Sequence, residues 1–245
     1  GGGIRGLVSL LILQRILEFI RDEERGCDTR MVEAGHRAPR TDGRDNTEMP
    51  LACHYFSFMF GTSTGGIIAI MLGRLRMGIN DCIDTYRNLG REIFEKRQPF
   101  HFLGQNKYDC TKLERIIKDV VQRHSGSTDA LIADSNVLNK SHHNKQDRAQ
   151  NRCIPCRVRA LKKMTDPEPV HQDLQRALDP SVYYRFNVEE DLKKMKLDEC
   201  IVKGEDNITF SRIESAVRNY FNDGGVRDSA QFLAKQLVKS KRLVA

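Results

Sequence analysis

One hydroxyl is set among glycines in the stretch Gly61-Thr62-Ser63-Thr64-Gly65-Gly66. The spacing G-x-S-x-G is the one in which a serine sits on a sharp strand-to-helix turn and its small neighbours let the two elements approach closely. The run before it, residues 54–60 (HYFSFMF), is short, aromatic and mostly apolar, which suits a buried strand. The run after it, GIIAIMLGRLRMG, has the apolar density of a helix packed on a sheet. Ser63 is therefore a candidate nucleophile, exposed at the edge of a sheet beside the N–H groups of a helix start. A plain Gly/Ser turn would carry the same letters, and it is the flanking strand and helix patterns that favour the nucleophile.

A serine hydroxyl is a weak nucleophile until a base takes its proton and donors stabilise the oxyanion. The opening GGGIRG can meet the second need. Successive glycines let backbone N–H groups turn toward a ligand, the helix after them contributes its positive end, and Arg5 can add charge. The same letters, Gly1, Gly3 and Gly6 in a G-x-G-x-x-G, describe a dinucleotide loop. That loop needs a strand before it and an acid about twenty positions on. The acids in range, Asp22, Glu23 and Glu24, fall on a helix end instead.

Other constellations are weaker. Cys153 and Cys156 form a C-x-x-C with His142 and His143 upstream, but neither a second pair nor a partner helix accompanies them, and no metal is expected. A redox pair would need a strand before it and a helix through it. A Ser-His-Asp triad would need His171 after Asp109 or Asp134, and His171 reads as a solvated surface histidine. Residues 140–163 hold eight Lys/Arg against one acid, Asp147. Without interleaved aromatic residues this is no nucleic-acid groove. A solvated loop is the default reading, and attraction to anionic lipid the functional one.

These groups need elements to position them. Leu7, Leu10, Leu11, Leu17 and Ile20 share one side of a first helix, interrupted by Gln14 and stopped at Gly26. Residues 27–50 read as a polar surface insertion. A helix capped by Asn80 follows the Ser63 helix. Next comes a helix with a capping box from Thr111 to Glu114 and the stripe Leu113, Ile116, Ile117, Val120, Val121. From 125 to about 180 the pattern dissolves, with only ALIA and CRVRAL strand-like, and residues 125–170 are expected to be irregular. SVYYRFNV is a better strand, and helices follow it to the end.

The length of 245 residues suffices for one α/β domain, or one large and one small. The chain is 39% apolar and 30% charged, with a net charge of +7 that favours anionic surfaces. Seven cysteines at irregular spacing argue for a reducing compartment, hence a cytoplasmic location. The chain opens at Gly1 without Met and reads as a fragment, so targeting signals are not legible.

GGGIRG and GTSTGG, in that order and some sixty residues apart, resemble the patatin-like phospholipases. RGLVSLLILQRI and the stretch from GTSTGG to FEK are similar to the fungal members, over residues 1–125 and again over 171–245. The resemblance implies a three-layer α/β/α hydrolase fold, truncated here, with a helical C-terminal part. Residues 1–180 would be the hydrolase core and 181–245 its closing strand and helices. It implies a lipid acyl ester hydrolase with a Ser–Asp dyad, no cofactor, a lipid substrate, peripheral membrane contact and further C-terminal domains. By position, Ser63 matches the nucleophile and Gly61 and Gly65 its motif. Gly2 and Gly3 match the oxyanion glycines, Arg5 the arginine of that loop, and Gly1 and Gly6 its flanks.

The family takes its base from an Asp-Gly-Gly after an apolar strand. The one literal match is Asp223-Gly224-Gly225. Its surroundings read differently: Ser211 to Glu214 is a capping box, and Ile213, Ala216, Val217, Tyr220 and Phe221 form a helical stripe. Asp223 then falls at a helix C-terminus, on the unfavourable end of the dipole, with Asp228 capping the next helix. The usual strand and Asp-Gly block would lie between residues 130 and 171, and reads as missing. A second reading follows, a catalytically impaired remnant or interaction domain on the same fold.

Overall fold

The computed structural model describes residues 2–33, 49–95, 110–126, 167–188, 192–203 and 206–244. The chain divides into two compact units. The first comprises Gly1–Ile132 with Phe186–Ala245, and the second Ala133–Arg185.

Helix α1 (Gly6–Glu33) is the hub of the first unit. Its apolar residues recur at helical spacing, and Leu7, Leu10, Leu17 and Ile20 are all fully buried. Around it pack α2 (Thr64–Ala69), α3 (Ile79–Gly90), α6 (Ile208–Tyr220) and α7 (Gly224–Val244). Helix α4 (Cys110–Ser125) lies against α3 and buries Ile116 and Val120. Gln14 meets Asn80, whose side-chain oxygen accepts its amide at 2.8 Å. Arg87 on α3 pairs with Glu214 on α6 at 2.5 Å. In the second unit, α5 (Glu168–Ala177) buries none of its residues.

Helix ends depart from the sequence expectations. Gly26 does not stop α1, which continues to Glu33. An exposed interior glycine costs only about 1 kcal/mol relative to alanine, and Lys241 of α7 holds Glu24, just ahead of it, at 3.0 Å. Gly78, not Asn80, precedes α3. Helix α4 starts at Cys110, so Thr111 stands inside its first turn. Helix α6 is capped by Asn207, whose side chain accepts the Phe210 amide at 3.1 Å. That places Ser211 and Glu214 inside the helix.

The three-layer α/β/α architecture is overturned. Among the described residues the strands amount to one antiparallel ladder, β1 (Val202–Lys203) with β2 (Asp206–Asn207), Val202 opposite Asn207. Residues 54–60 form no strand: Ala52–His54 is a 3₁₀ turn, and the chain runs irregularly from there to Ser63. Residues 181–188 form none either. An extended segment is stable only when a neighbour pairs its amides and carbonyls. The described elements beside residues 51–60 are helices, and the chain satisfies its amides locally instead, Tyr55 and Phe56 both donating to the Ala52 carbonyl.

Candidate active site

Ser63 has φ 54° and ψ −130° and directly precedes the first residue of α2. Non-glycine residues rarely hold a positive φ, and such strain, about 1–3 kcal/mol, collects at functional turns. The turn closes through Gly65 N–H to the Thr62 carbonyl and Gly66 N–H to the Ser63 carbonyl, both at 2.9 Å. Gly61 packs so tightly on this turn that a Cβ there would overlap the Gly65 carbonyl. Ser63 itself is exposed. The structure thus has the sharp turn and the helix after it, without the strand before it.

The glycine loop lies beside this turn. Thr64, the residue after Ser63, donates its hydroxyl to the Gly3 carbonyl at 3.2 Å. The buried Tyr86 of α3 donates to the same oxygen at 2.5 Å. Burial raises the Tyr86 phenol above its ordinary range, which keeps the proton that makes this bond. Gly3 has φ 50°, and a Cβ there would run into the Leu197 carbonyl. That carbonyl accepts the Ile4 amide at 2.7 Å, and the Gly2 carbonyl accepts that of Arg5 at 3.0 Å. Among the described residues the Gly2 and Gly3 amides donate to no carbonyl. Gly6 begins α1 beneath the Tyr86 hydroxyl, with no room for a side chain.

Arg5 turns away from this loop toward residues 192–197, donating to the Met195 carbonyl and, at 3.5 Å, to that of Lys193. Gly1 lies outside the described residues, as do Asp109, Asp134, His142, His143, Cys153 and Cys156. His171 sits on α5 in the second unit, its Nδ1 3.1 Å from the Tyr183 hydroxyl.

Asp223 is not at the end of α6 alone. It opens α7: its carboxylate accepts the Val226 amide at 3.1 Å, and its carbonyl accepts that of Arg227 at 3.1 Å. Gly224 and Gly225 form the first turn of α7, so Asp223 rather than Asp228 is its cap, and the carboxylate meets the favourable end of that helix's dipole. Arg227 reaches back to the Phe221 carbonyl, 3.3 Å from its guanidinium. Phe221, two residues before Asp223, packs on Phe19 with ring centroids 6.5 Å apart. Phe19 stands about four turns along α1 from the glycine loop. The structure brings together Gly2, Gly3, Gly6, Thr64 and Ser63, and the described contacts of Asp223 are with its own helix.

Tyr86 was not singled out by sequence. The signal was present: it continues the apolar stripe of Ile79, Cys82 and Ile83 on α3, all buried, and a buried tyrosine needs a partner for its hydroxyl.

A calcium-independent phospholipase A2-gamma from Rattus norvegicus is 29% identical over 128 residues, 49% of this chain. The Homo sapiens protein of that name is 29% identical over 126 residues. This chain is similar to phospholipases. Phospholipase A I from Arabidopsis thaliana is 31% identical over 99 residues, 40% of this chain and 5% of its own length. The chain spans about 12% of the length of the phospholipase A2-gamma relatives. No family model matches the chain, and no solved structure matches it. The similarity supports the resemblance to the patatin-like phospholipases and does not bear on its fungal branch.

Proposed function

We propose that this domain is a serine acyl hydrolase acting on lipid esters. The observation that carries the reading is the strained Ser63, whose neighbour Thr64 is bonded to the Gly3 carbonyl. Ser63 Oγ attacks the ester carbonyl. The Gly2 and Gly3 amides, at the head of α1, hold the oxyanion that develops. The alcohol leaves, and water then releases the acyl group from Ser63. The relatives reported above bear phospholipase names, which supports a phospholipid as the ester.

In the resembled family an aspartate takes the Ser63 proton. Asp223 carries the matching motif, and its carboxylate is engaged in capping α7. That observation favours the second reading, a hydrolase-like domain slowed by lack of a base. Without a base, the oxyanion hole and binding alone leave about a thousand- to ten-thousand-fold acceleration over water.

Turnover of p-nitrophenyl butyrate and labelling by a fluorophosphonate decide between them. Robust turnover abolished by Ser63→Ala is expected of the hydrolase. A weak rate that Ser63→Ala still removes supports the impaired domain. Turnover and labelling indifferent to Ser63→Ala overturn both.

A further inference from the structure

The irregular segment that leads into Ser63 presents two large aromatic side chains to solvent. Phe58 is 79% and Phe60 89% exposed, and their rings stack with centroids 6.2 Å apart. Isolated exposed apolar residues are ordinary, but two stacked rings beside an exposed serine form a patch. Ile70, on the turn of π-helix (Ile70–Arg74) that continues α2, adds to the exposed apolar surface at 42%. Between this segment and that turn lies a cleft of about 470 Å³, lined by Cys53, Phe56, Met59 and Ile70 and edged by Arg74 and Arg76. Protruding apolar groups, with basic residues at the edge of the neighbouring cleft, suit the layering of an anionic bilayer surface. Rings enter the boundary between headgroups and acyl chains, and the cations remain at phosphate level.

We propose that Phe58 and Phe60, with Arg74 and Arg76 at the adjacent cleft, form the surface by which this domain docks on an anionic phospholipid interface. The choice of a lipid occupant rests on the ester-hydrolase reading and on charge. The chain carries a net +7, and each basic group near an anionic membrane contributes to attraction until salt screens it. Phe60 precedes Ser63 by three residues, so docking would bring the bilayer surface to the turn that carries the nucleophile. A lipid ester would then reach Ser63 without first crossing bulk water.

The chain contains no tryptophan, so Phe58→Trp and Phe60→Trp each create a single fluorescent reporter. Both are made in the Ser63→Ala background, so that vesicles are not consumed, and far-UV circular dichroism verifies the fold. With vesicles of dioleoyl phosphatidylcholine and dioleoyl phosphatidylglycerol, each reporter is expected to shift to the blue and to be quenched by brominated acyl chains. Phe58→Ser with Phe60→Ser is expected to weaken vesicle co-sedimentation at least about tenfold, as the loss of two buried rings requires. Arg76→Glu, or ionic strength near 1 M with a Debye length of about 3 Å, is expected to weaken it as well. A reporter that stays unshifted and unquenched overturns the proposal. Equal binding to purely zwitterionic vesicles overturns the role of the arginines. A reporter already blue-shifted without vesicles, in a chain that sediments as a dimer, overturns it in favour of contact between copies. Vesicle binding without ester turnover by the wild type leaves the docking surface standing and removes the hydrolase. Turnover of a soluble ester without vesicle binding does the reverse.

Discussion

The hydroxyl of Tyr86 donates to the carbonyl oxygen of Gly3 at 2.5 Å. This bond reaches from a buried position on α3 to the loop just before α1, and Thr64 donates to the same oxygen at 3.2 Å. One carbonyl thus gathers the glycine loop, the residue after Ser63 and the middle of α3. Holding that carbonyl inward fixes the peptide plane it shares with the Ile4 amide, immediately after Gly3, and so restrains the backbone that carries the candidate oxyanion donors Gly2 and Gly3.

Tyr86→Phe removes one of the two side-chain donors to this oxygen, which also accepts the Gly6 amide, and nothing of the ring. It is expected to cost about 1 kcal/mol of stability, the net worth of one hydrogen bond, read as a lowered urea midpoint. Its larger effect is on geometry: misplacement of the donors is expected to lower kcat for p-nitrophenyl esters by about 10- to 100-fold with KM little changed. An unchanged kcat would separate this bond from catalysis.

Gly61→Ala tests how tightly the Ser63 turn is built. A Cβ there overlaps a backbone carbonyl, which cannot rotate away as a side chain can. Overpacking of this kind is expected to cost about 1–3 kcal/mol. Fluorophosphonate labelling of Ser63 should fall with it, because relief of the overlap must move the turn. Full labelling at wild-type rate would show that the turn tolerates the shift.

Asp223 separates capping from catalysis. Asparagine caps a helix about as well as aspartate, whereas alanine costs roughly 1 kcal/mol. With its carboxylate on the Val226 amide, Asp223→Asn is expected to leave both the melting temperature and the ester rate nearly unchanged. Asp223→Ala is expected to lower the melting temperature alone. An Asp223→Asn rate as damaged as that of Ser63→Ala would instead identify one catalytic unit, since members of a unit are not additive.

Cys82 is fully buried on α3. Burial first, and the Asp81 carboxylate second, push its thiol up to about 12. In the unfolded chain the thiol ionises near its ordinary 8.5. The folded state therefore holds the proton where the unfolded state has lost it. Its contribution to stability is complete below about pH 8.5 and is lost as pH rises toward about 12. Cys82 should resist Ellman's reagent at pH 8 in the native protein and react on addition of urea, as peptide mapping of the labelled cysteine would reveal. Rapid native labelling at Cys82 would contradict its burial.

The helices were legible because their signal is local. The stripes of α1, α4 and α6 repeat every three to four residues, and the buried sets Leu7–Leu10–Leu17, Ile116–Val120 and Ile213–Ala216–Val217 follow them. Two glycine-rich stretches were legible for the same reason. A serine among glycines at 61–66 and the glycine run at the start already specify a sharp turn and a tight loop.

Tertiary structure decided what depends on a partner. Residues 54–60 and 181–188 carry strand-like composition, but an extended segment forms only beside another that pairs its backbone, and the described neighbours are helices. Cap assignment failed similarly: Ser211 and Asp228 are good caps by type, yet Asn207 and Asp223 hold the amides at the helix starts. The pairing of Tyr86 with Gly3, and the placing of Thr64 beside both, joins residues far apart in the chain. No local pattern encodes that meeting. It follows from the packing of α3 and α2 on α1, which brings a buried hydroxyl within reach of the Gly3 carbonyl.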